Sequence, residues 1–459
     1  MFKKIFILLL FISPLATVKA NVVLPSVFSD HMVLQQNTTT KFWGWADPNE
    51  ELTISPSWTT ETYTTKTSNL ANWKLEIPTP KAGGPFTIKV KGYNEILLTD
   101  VYIGEVWFCS GQSNMEMSAA WGIENGDAEM AAANYPTIRF FKTPKSTSDA
   151  PQLDVNAQWE VCTPEVMKYN SAVAYFFAQK LHKELDSIPV GIMVSAWGGT
   201  PAEIWIPSEV IKKDETLSME ADKLQPAEWG PIKPAKTFNT MIQPLVGYSI
   251  AGFLWYQGES NVGSNHYDET LGALINTWRT LWKNNELPFY LVQIAPFNYE
   301  NDTYSGVKIR DAQRKLVTKV PNTAMVVISD VSTTDDIHPK NKKPVGERLA
   351  NIALKNKYKA YEGTISGPLF SNFEIDKNKV IVHFNNNEGL YFSSKENQFE
   401  IAGEDGIFYT AKATIKNNSI YLKSKKVKKP TDVRFAWGNT IQSNLFNKAQ
   451  LPASSFTSK

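Results

Sequence analysis

The stretch "GEVWFCSGQSNMEM" (104–117) runs from an apolar, strand-like segment through Ser110-Gly111-Gln112 into a helix-like segment that opens near Ser113. A strand that ends on a glycine turn and feeds a helix is the repeating unit of an α/β sheet. The same rhythm continues on the carboxyl side. "PVGIMVSAW" (189–197), "IAGFLWYQ" (250–257), "PFYLVQIA" (288–295) and "TAMVVISD" (323–330) are short apolar runs of the kind buried on both faces. Between them, "SAVAYFFAQKLHKEL" (171–185) and "LGALINTWRTLW" (271–282) carry apolar residues at helical spacing. The pattern predicts a parallel α/β sheet with helices on both faces, and ligands in such sheets bind outside the carboxyl ends of the strands.

The flanks read differently. Residues 21–99 are short alternating runs broken by turns, as in "KFWGWADPNEELTI" (41–54), and predict a small antiparallel β domain. The α/β pattern occupies 100–355, interrupted at about 200–240 by a proline-bearing loop insertion with little periodicity. Residues 356–459 return to β patterning in "NKVIVHFNN" and "DVRFAWGN". The basic run "KSKKVKK" (423–429) is expected at the solvated tip of a strand hairpin.

Residues 1–20, "MFKKIFILLLFISPLATVKA", pair two lysines with an apolar run and a small-x-small end, the layout of a signal peptide. The run is shorter than the ~20 residues that cross a bilayer. The expectation is an exported protein, periplasmic or secreted, with no membrane span once the signal is removed. The formal charge is +1, and loss of Lys3, Lys4 and Lys19 brings it near −2. That balance gives no electrostatic basis for nucleic acid or an anionic membrane as partner. The only cysteines are Cys109 and Cys162. Their pairing is left open, and their spacing is not that of a metal clip.

Of five histidines, His31, His182, His266 and His383 each read as ordinary surface or strand residues. His338 differs. It follows a strand and the polar loop "VSTTDDIHP", and it precedes the helix-like "VGERLA". Asp335 and Asp336 lie three and two residues before it. A serine needs such a base to act as a nucleophile. Ser113 sits at the expected helix start, where its own N–H can face a developing oxyanion, whereas Ser110 belongs to the strand end. The competing reading of Ser113 is a helix N-cap. The local motif is not G-x-S-x-G, because Met115 fills the last position, which argues against a nucleophile elbow.

These blocks carry a resemblance. "GQSNM", "SAWGGTPAEIW" (195–205), "WYQGESN" (255–261) and "DIHPKNKKPVGERLA" (336–350), with "LPSVFSDHMVLQQ" (24–36) and "AWGNTIQSNLFNKAQLPASSF" (436–456), resemble the sialate O-acetylesterase family of SGNH-type hydrolases. The likeness implies an SGNH-type parallel sheet and a serine esterase that removes O-acetyl groups from sialic acids. It places Ser113 as nucleophile, His338 as base and Asp335 as orienting acid, with Asp336 the rival. A carboxylate beside His338 is expected to raise its pKa. Oxyanion donors are expected from the Ser113 backbone, Gly199 or Gly198, and Gln257 or Asn261. Arg310 is a candidate for a sugar carboxylate, with a solvated helix arginine as the other reading. No metal and no organic cofactor is implied. The partner is then O-acetylated sialic acid, with acetyl-xylan or another acetylated glycan as alternative. A non-catalytic glycan-binding protein is the reading from another class.

Overall fold

The computed structural model describes residues 21–300 and 302–459, so the expected signal segment lies outside the described residues. The amino-terminal part supplies six strands: β1 (Val33–Gln35), β2 (Thr38–Trp45), β3 (Glu51–Pro56), β4 (Tyr63–Lys66), β5 (Asn72–Thr79) and β6 (Gly83–Lys91). β2 pairs with β5, and β3 pairs antiparallel with β4 and β6. Buried and open positions alternate along β2 and β3, as one-sided burial requires.

β7 (Glu95–Gly111) joins this part to the rest. Its first half pairs with β6, and its second half is the centre of the main sheet. The burial pattern changes within the strand. Open positions recur from Glu95 to Tyr102, and every residue from Ile103 to Gly111 is buried. The division expected between 99 and 100 therefore falls inside one continuous strand. The alternation seen in the sequence belongs only to its outer half.

The sheet is completed by β8 (Tyr135–Lys142), β9 (Trp159–Cys162), β10 (Val190–Ala196), β11 (Gly252–Tyr256), β12 (Phe289–Val292) and β13 (Thr323–Val326), in the order β13-β12-β11-β7-β10-β8-β9. All pairs are parallel except β8–β9. β10, β11 and β12 are buried at every position, which is the doubly covered parallel sheet that their apolar runs predict. Cys109 on β7 and Cys162 on β9 are separated by β10 and β8 and are free thiols.

One face of the sheet carries the helices Ala172–Glu184 and Lys343–Asn356, with Trp107, Phe177, Val194 and Leu349 in a common apolar cluster. Gly346 lets these helices touch, since a Cβ there would lie 2.5 Å from the Val173 carbonyl oxygen. The other face packs Phe253, Trp255 and Trp278, the last from helix Tyr267–Leu281, in one cluster with Phe42, Ile54 and Ile103 of the amino-terminal strands. Each such large side chain contributes roughly 1.5–3 kcal/mol by leaving water.

The segment expected as a loop insertion at 200–240 contains helices Ser208–Lys213 and Glu215–Asp222. They are too short to show a periodic pattern. Asp214 starts the second by accepting the Leu217 N–H. The carboxy-terminal region forms two four-stranded antiparallel sheets around its own cluster of Val382, Phe399, Ile420, Phe435 and Phe456. The basic run follows strand Ser419–Lys423 and leads to strand Asp432–Phe435 in the other sheet, so it links two sheets and does not close a hairpin. Asn439 Oδ1 accepts the Gly306 and Val307 N–H groups at the start of helix Ser305–Lys319, which fixes this region to the main sheet's edge.

Candidate active site

β7 delivers its last residues to the carboxyl edge of the sheet. Gly111 has φ +136°, and a Cβ there would stand 2.1 Å from the Tyr256 carbonyl oxygen of β11. Only glycine fits both the conformation and the approach. The turn then places Ser113 first in a single helical turn, Ser113–Glu116. The helix expected here ends after four residues, so little macrodipole builds up, and the local N–H groups are what it offers. Gln112 ties the turn to its neighbour by accepting the Gly258 and Ser260 N–H groups.

Ser113 and His338 meet. The Ser113 Oγ–His338 Nε2 distance is 2.8 Å across 225 residues of chain, and Ser113 retains 8% exposure. This is hydrogen-bond reach for proton transfer. Ser110 is fully buried and donates to the Ser195 carbonyl at 2.5 Å, a strand-to-strand link. The four other histidines have local partners: Asp100, the Ile188 carbonyl, Glu269 and Ser419.

The expected third member is arranged differently. Asp335 is exposed, and among the described residues no carboxylate pairs with either ring nitrogen of His338. Asp336 Oδ1 accepts the His338 backbone N–H at 2.8 Å. Burial lowers the His338 pKa, the charge of Lys342 lowers it further, and Asp336 opposes both. The expected upward shift is thereby reversed, because burial and the Lys342 cation outweigh a carboxylate whose hydrogen bond goes to the main chain.

Of the two glycines, Gly198 adjoins Ser113. A Cβ on it would come 3.2 Å from Ser113 Cβ, whereas one on Gly199 would strike the Trp229 ring. The Gly198 N–H donates to Glu116 Oε2 at 2.8 Å, and Glu116 Oε1 pairs with Lys145. Trp121 stands edge-on to His338 at 6.3 Å between ring centroids. Trp121 and Trp229 are both largely open to solvent.

Three residues expected to contact substrate are committed elsewhere. The Gln257 amide donates to the Thr200 carbonyl and Asn261 Oδ1 and accepts from Tyr267. Asn261 donates to both Glu203 oxygens and accepts the Ala202 N–H. These two brace the 200–205 segment from below. Arg310 is buried and donates to the Gly438 and Asn439 carbonyls, so it clamps the carboxy-terminal region. Burial lowers its pKa to about 10. Sequence reasoning missed Asn114, Glu259 and Lys342, which form a buried chain next to Ser113. All three lie within the motif blocks, where the acid and the lysine went unread.

The sialic acid-specific acetylesterase description of the carbohydrate esterases matches residues 103–355. The chain belongs to that family. Among relatives of the esterase, the sialate O-acetylesterases of Pongo abelii and Homo sapiens are each 30% identical over 419 residues, covering 82% of this chain and 79% of theirs. A solved carbohydrate acetylesterase from Xanthomonas citri superposes with a TM-score of 0.87 at 33% identity, covering 96% of this chain and all of that one. The esterase is thus a carboxylic ester hydrolase, built on a parallel sheet with helices and flanking β-rich regions. Among its described residues no group of histidine, cysteine, aspartate and glutamate side chains is arranged to hold a metal ion, and no helix is long and apolar enough to cross a membrane.

Proposed function

We propose that this esterase removes O-acetyl groups from sialic acids by a serine acyl-enzyme mechanism, with Ser113 as nucleophile and His338 as base. The 2.8 Å Ser113–His338 contact at the carboxyl edge of the sheet carries the reading. His338 Nε2 takes the Ser113 proton as Oγ attacks the acetyl carbonyl. The negative charge that develops on oxygen is held by the Ser113 N–H at the open end of its turn. The Gly198 N–H is engaged by Glu116 Oε2, so it serves only a substrate oxygen that displaces that carboxylate. Each such donor contributes roughly 3–4 kcal/mol at the transition state. The tetrahedral species collapses, the sugar oxygen leaves with the proton from His338, and an acetyl-serine remains. Water, deprotonated by His338, then attacks that ester and restores the free serine.

The sialate O-acetylesterases among its relatives support the sugar. Trp121 and Trp229 offer apolar faces to a pyranose ring beside the reacting pair. A second reading, a neutral acetylated polysaccharide such as acetyl-xylan, is favoured by one observation. The rim cation Lys145 is already paired with Glu116, and Arg310 is not at the site. Export rests on the composition of residues 1–20, and the amino-terminal sequence of the mature protein tests it.

The deciding experiment measures acetate release from O-acetylated sialic acid and from acetyl-xylan by wild type and Ser113→Ala. Wild type releases acetate from the sialic acid, and Ser113→Ala falls to background on both. Activity of Ser113→Ala near wild type overturns the nucleophile, and a wild type active only on acetyl-xylan overturns the substrate.

A further inference from the structure

Directly beneath the reacting pair lies a charged cluster that the acyl-transfer steps do not use. Lys342 ends the loop that carries His338 and is 1% exposed. Its Nζ donates to Asn114 Oδ1 at 2.6 Å and lies 5.3 Å from the centre of the Tyr256 ring. Asn114 Nδ2 donates to Glu259 Oε1 at 2.7 Å and to the Ile337 carbonyl at 2.9 Å. Glu259 is buried, and its Oε2 has no hydrogen-bond partner among the described residues.

Three chain segments are thereby joined at residues adjacent to the chemistry. Asn114 follows Ser113, Ile337 precedes His338, and Glu259 belongs to the turn braced by Gln112. A buried lysine and glutamate are costly to desolvate, and an apolar pair of the same volume often serves the fold as well or better. Their placement beside a reactive pair points to a task in the reaction. The base has no carboxylate on its ring, so something else must fix its place and its charge.

We propose that Lys342, with Asn114 and Glu259, is a buried positioning unit that holds the His338 loop against Ser113 and sets the charge state of the base. The proposal rests on Ser113 and His338 being the reacting pair. Asn114 is the mechanical part, since one amide grips the nucleophile's turn and the base's loop together. Lys342 is the electrostatic part. The charged groups acting on it are Glu259 from the 259–261 turn and Asp336 from the base's own loop, with the Tyr256 ring of β11 beneath. His338 in turn feels Lys342 and Asp336. Burial lowers the Lys342 pKa to about 7, so the ammonium is present throughout the acidic range, where it disfavours a second positive charge on His338.

The test is the acid limb of the kcat/KM–pH profile for acetyl-ester hydrolysis. Three variants are compared: Lys342→Met, the Lys342→Met/Glu259→Gln pair, and Lys342→Arg. The paired variant leaves no buried charge without a partner, so it keeps the test open if the single variant fails to fold. Removal of the ammonium moves the limb up by about one pH unit, and Lys342→Arg keeps it at the wild-type position. Labelling of Ser113 by an organophosphonate at pH 8 is measured alongside. A limb that stays put in the paired variant, with Ser113 still labelled, overturns the positioning unit alone. Loss of labelling in wild type overturns the reacting pair itself.

Discussion

Ser110 and Ser113 stand three residues apart and do unrelated jobs. Ser110 Oγ is spent on the Ser195 carbonyl of the neighbouring strand. Ser110→Ala therefore costs stability, about 1 kcal/mol for one buried hydrogen bond, and leaves kcat near wild type. Thermal unfolding and steady-state assays of that variant separate the two effects. The sequence distinguished these serines because strand end and turn are local properties. It did not distinguish Asp335 from Asp336, because which carboxylate reaches which atom depends on the loop's path. Asp336 fixes the His338 N–H, so Asp336→Ala lowers kcat by roughly tenfold or more through a misplaced base. Asp336→Asn keeps an acceptor and loses less, and the exposed Asp335→Asn stays close to wild type. A larger loss at Asp335 in the same assay refutes this order. The pH profile follows from the same atoms. The His338 pKa is lowered, so the ring is neutral, and competent as a base, at lower pH than free imidazole. The acid limb of kcat/KM then has its midpoint below ~6.5, and a midpoint above it indicates a carboxylate on the ring.

β7 shows what a pattern reading captures at the level of an element and where it stops. Its alternating half was legible as a one-sided strand, and the apolar runs of β10, β11 and β12 were legible as doubly buried ones. That both halves of β7 are one strand was not legible, since periodicity shows burial and not continuity. The short helices at 208–213 and 215–222 escaped for a related reason: fewer than three turns give no period to detect. The end of β7 makes the sharpest prediction here. Gly111→Ala puts a methyl group 2.1 Å from the Tyr256 carbonyl oxygen at a φ that L-residues avoid. The turn must move, taking Ser113 with it. Both Tm and kcat fall, measured by calorimetry and acetate release. A folded Gly111→Ala with full kcat shows that the turn tolerates displacement.

Across the whole molecule, the carboxy-terminal region is bound to the main sheet's side by hydrogen bonds of Asn439, Arg310 and Gln442. Arg310 was a candidate to meet substrate because a sialic acid carries a carboxylate that an arginine can pair. The carbonyls of Gly438 and Asn439 claim it instead, about 130 residues along the chain, a distance that no local pattern reports. Truncation after residue 362 strips those acceptors and opens the covered face of helix Ser305–Lys319 to water. Losing that burial and those bonds is destabilising. The shortened chain is expected to be insoluble or inactive, read by soluble yield and acetate release, and a soluble active fragment refutes the dependence. Gln442 extends the same tie to the loop of His338, since its Nε2 donates to the Ser332 carbonyl at 2.6 Å. That bond has a consequence in time. A ribosome adding roughly 5–20 residues per second delivers Ser113 early, and its base follows some tens of seconds later. Gln442, which latches the loop of His338, follows about a hundred residues after that. A growing chain that has not yet passed Gln442 therefore lacks this latch on the loop of His338.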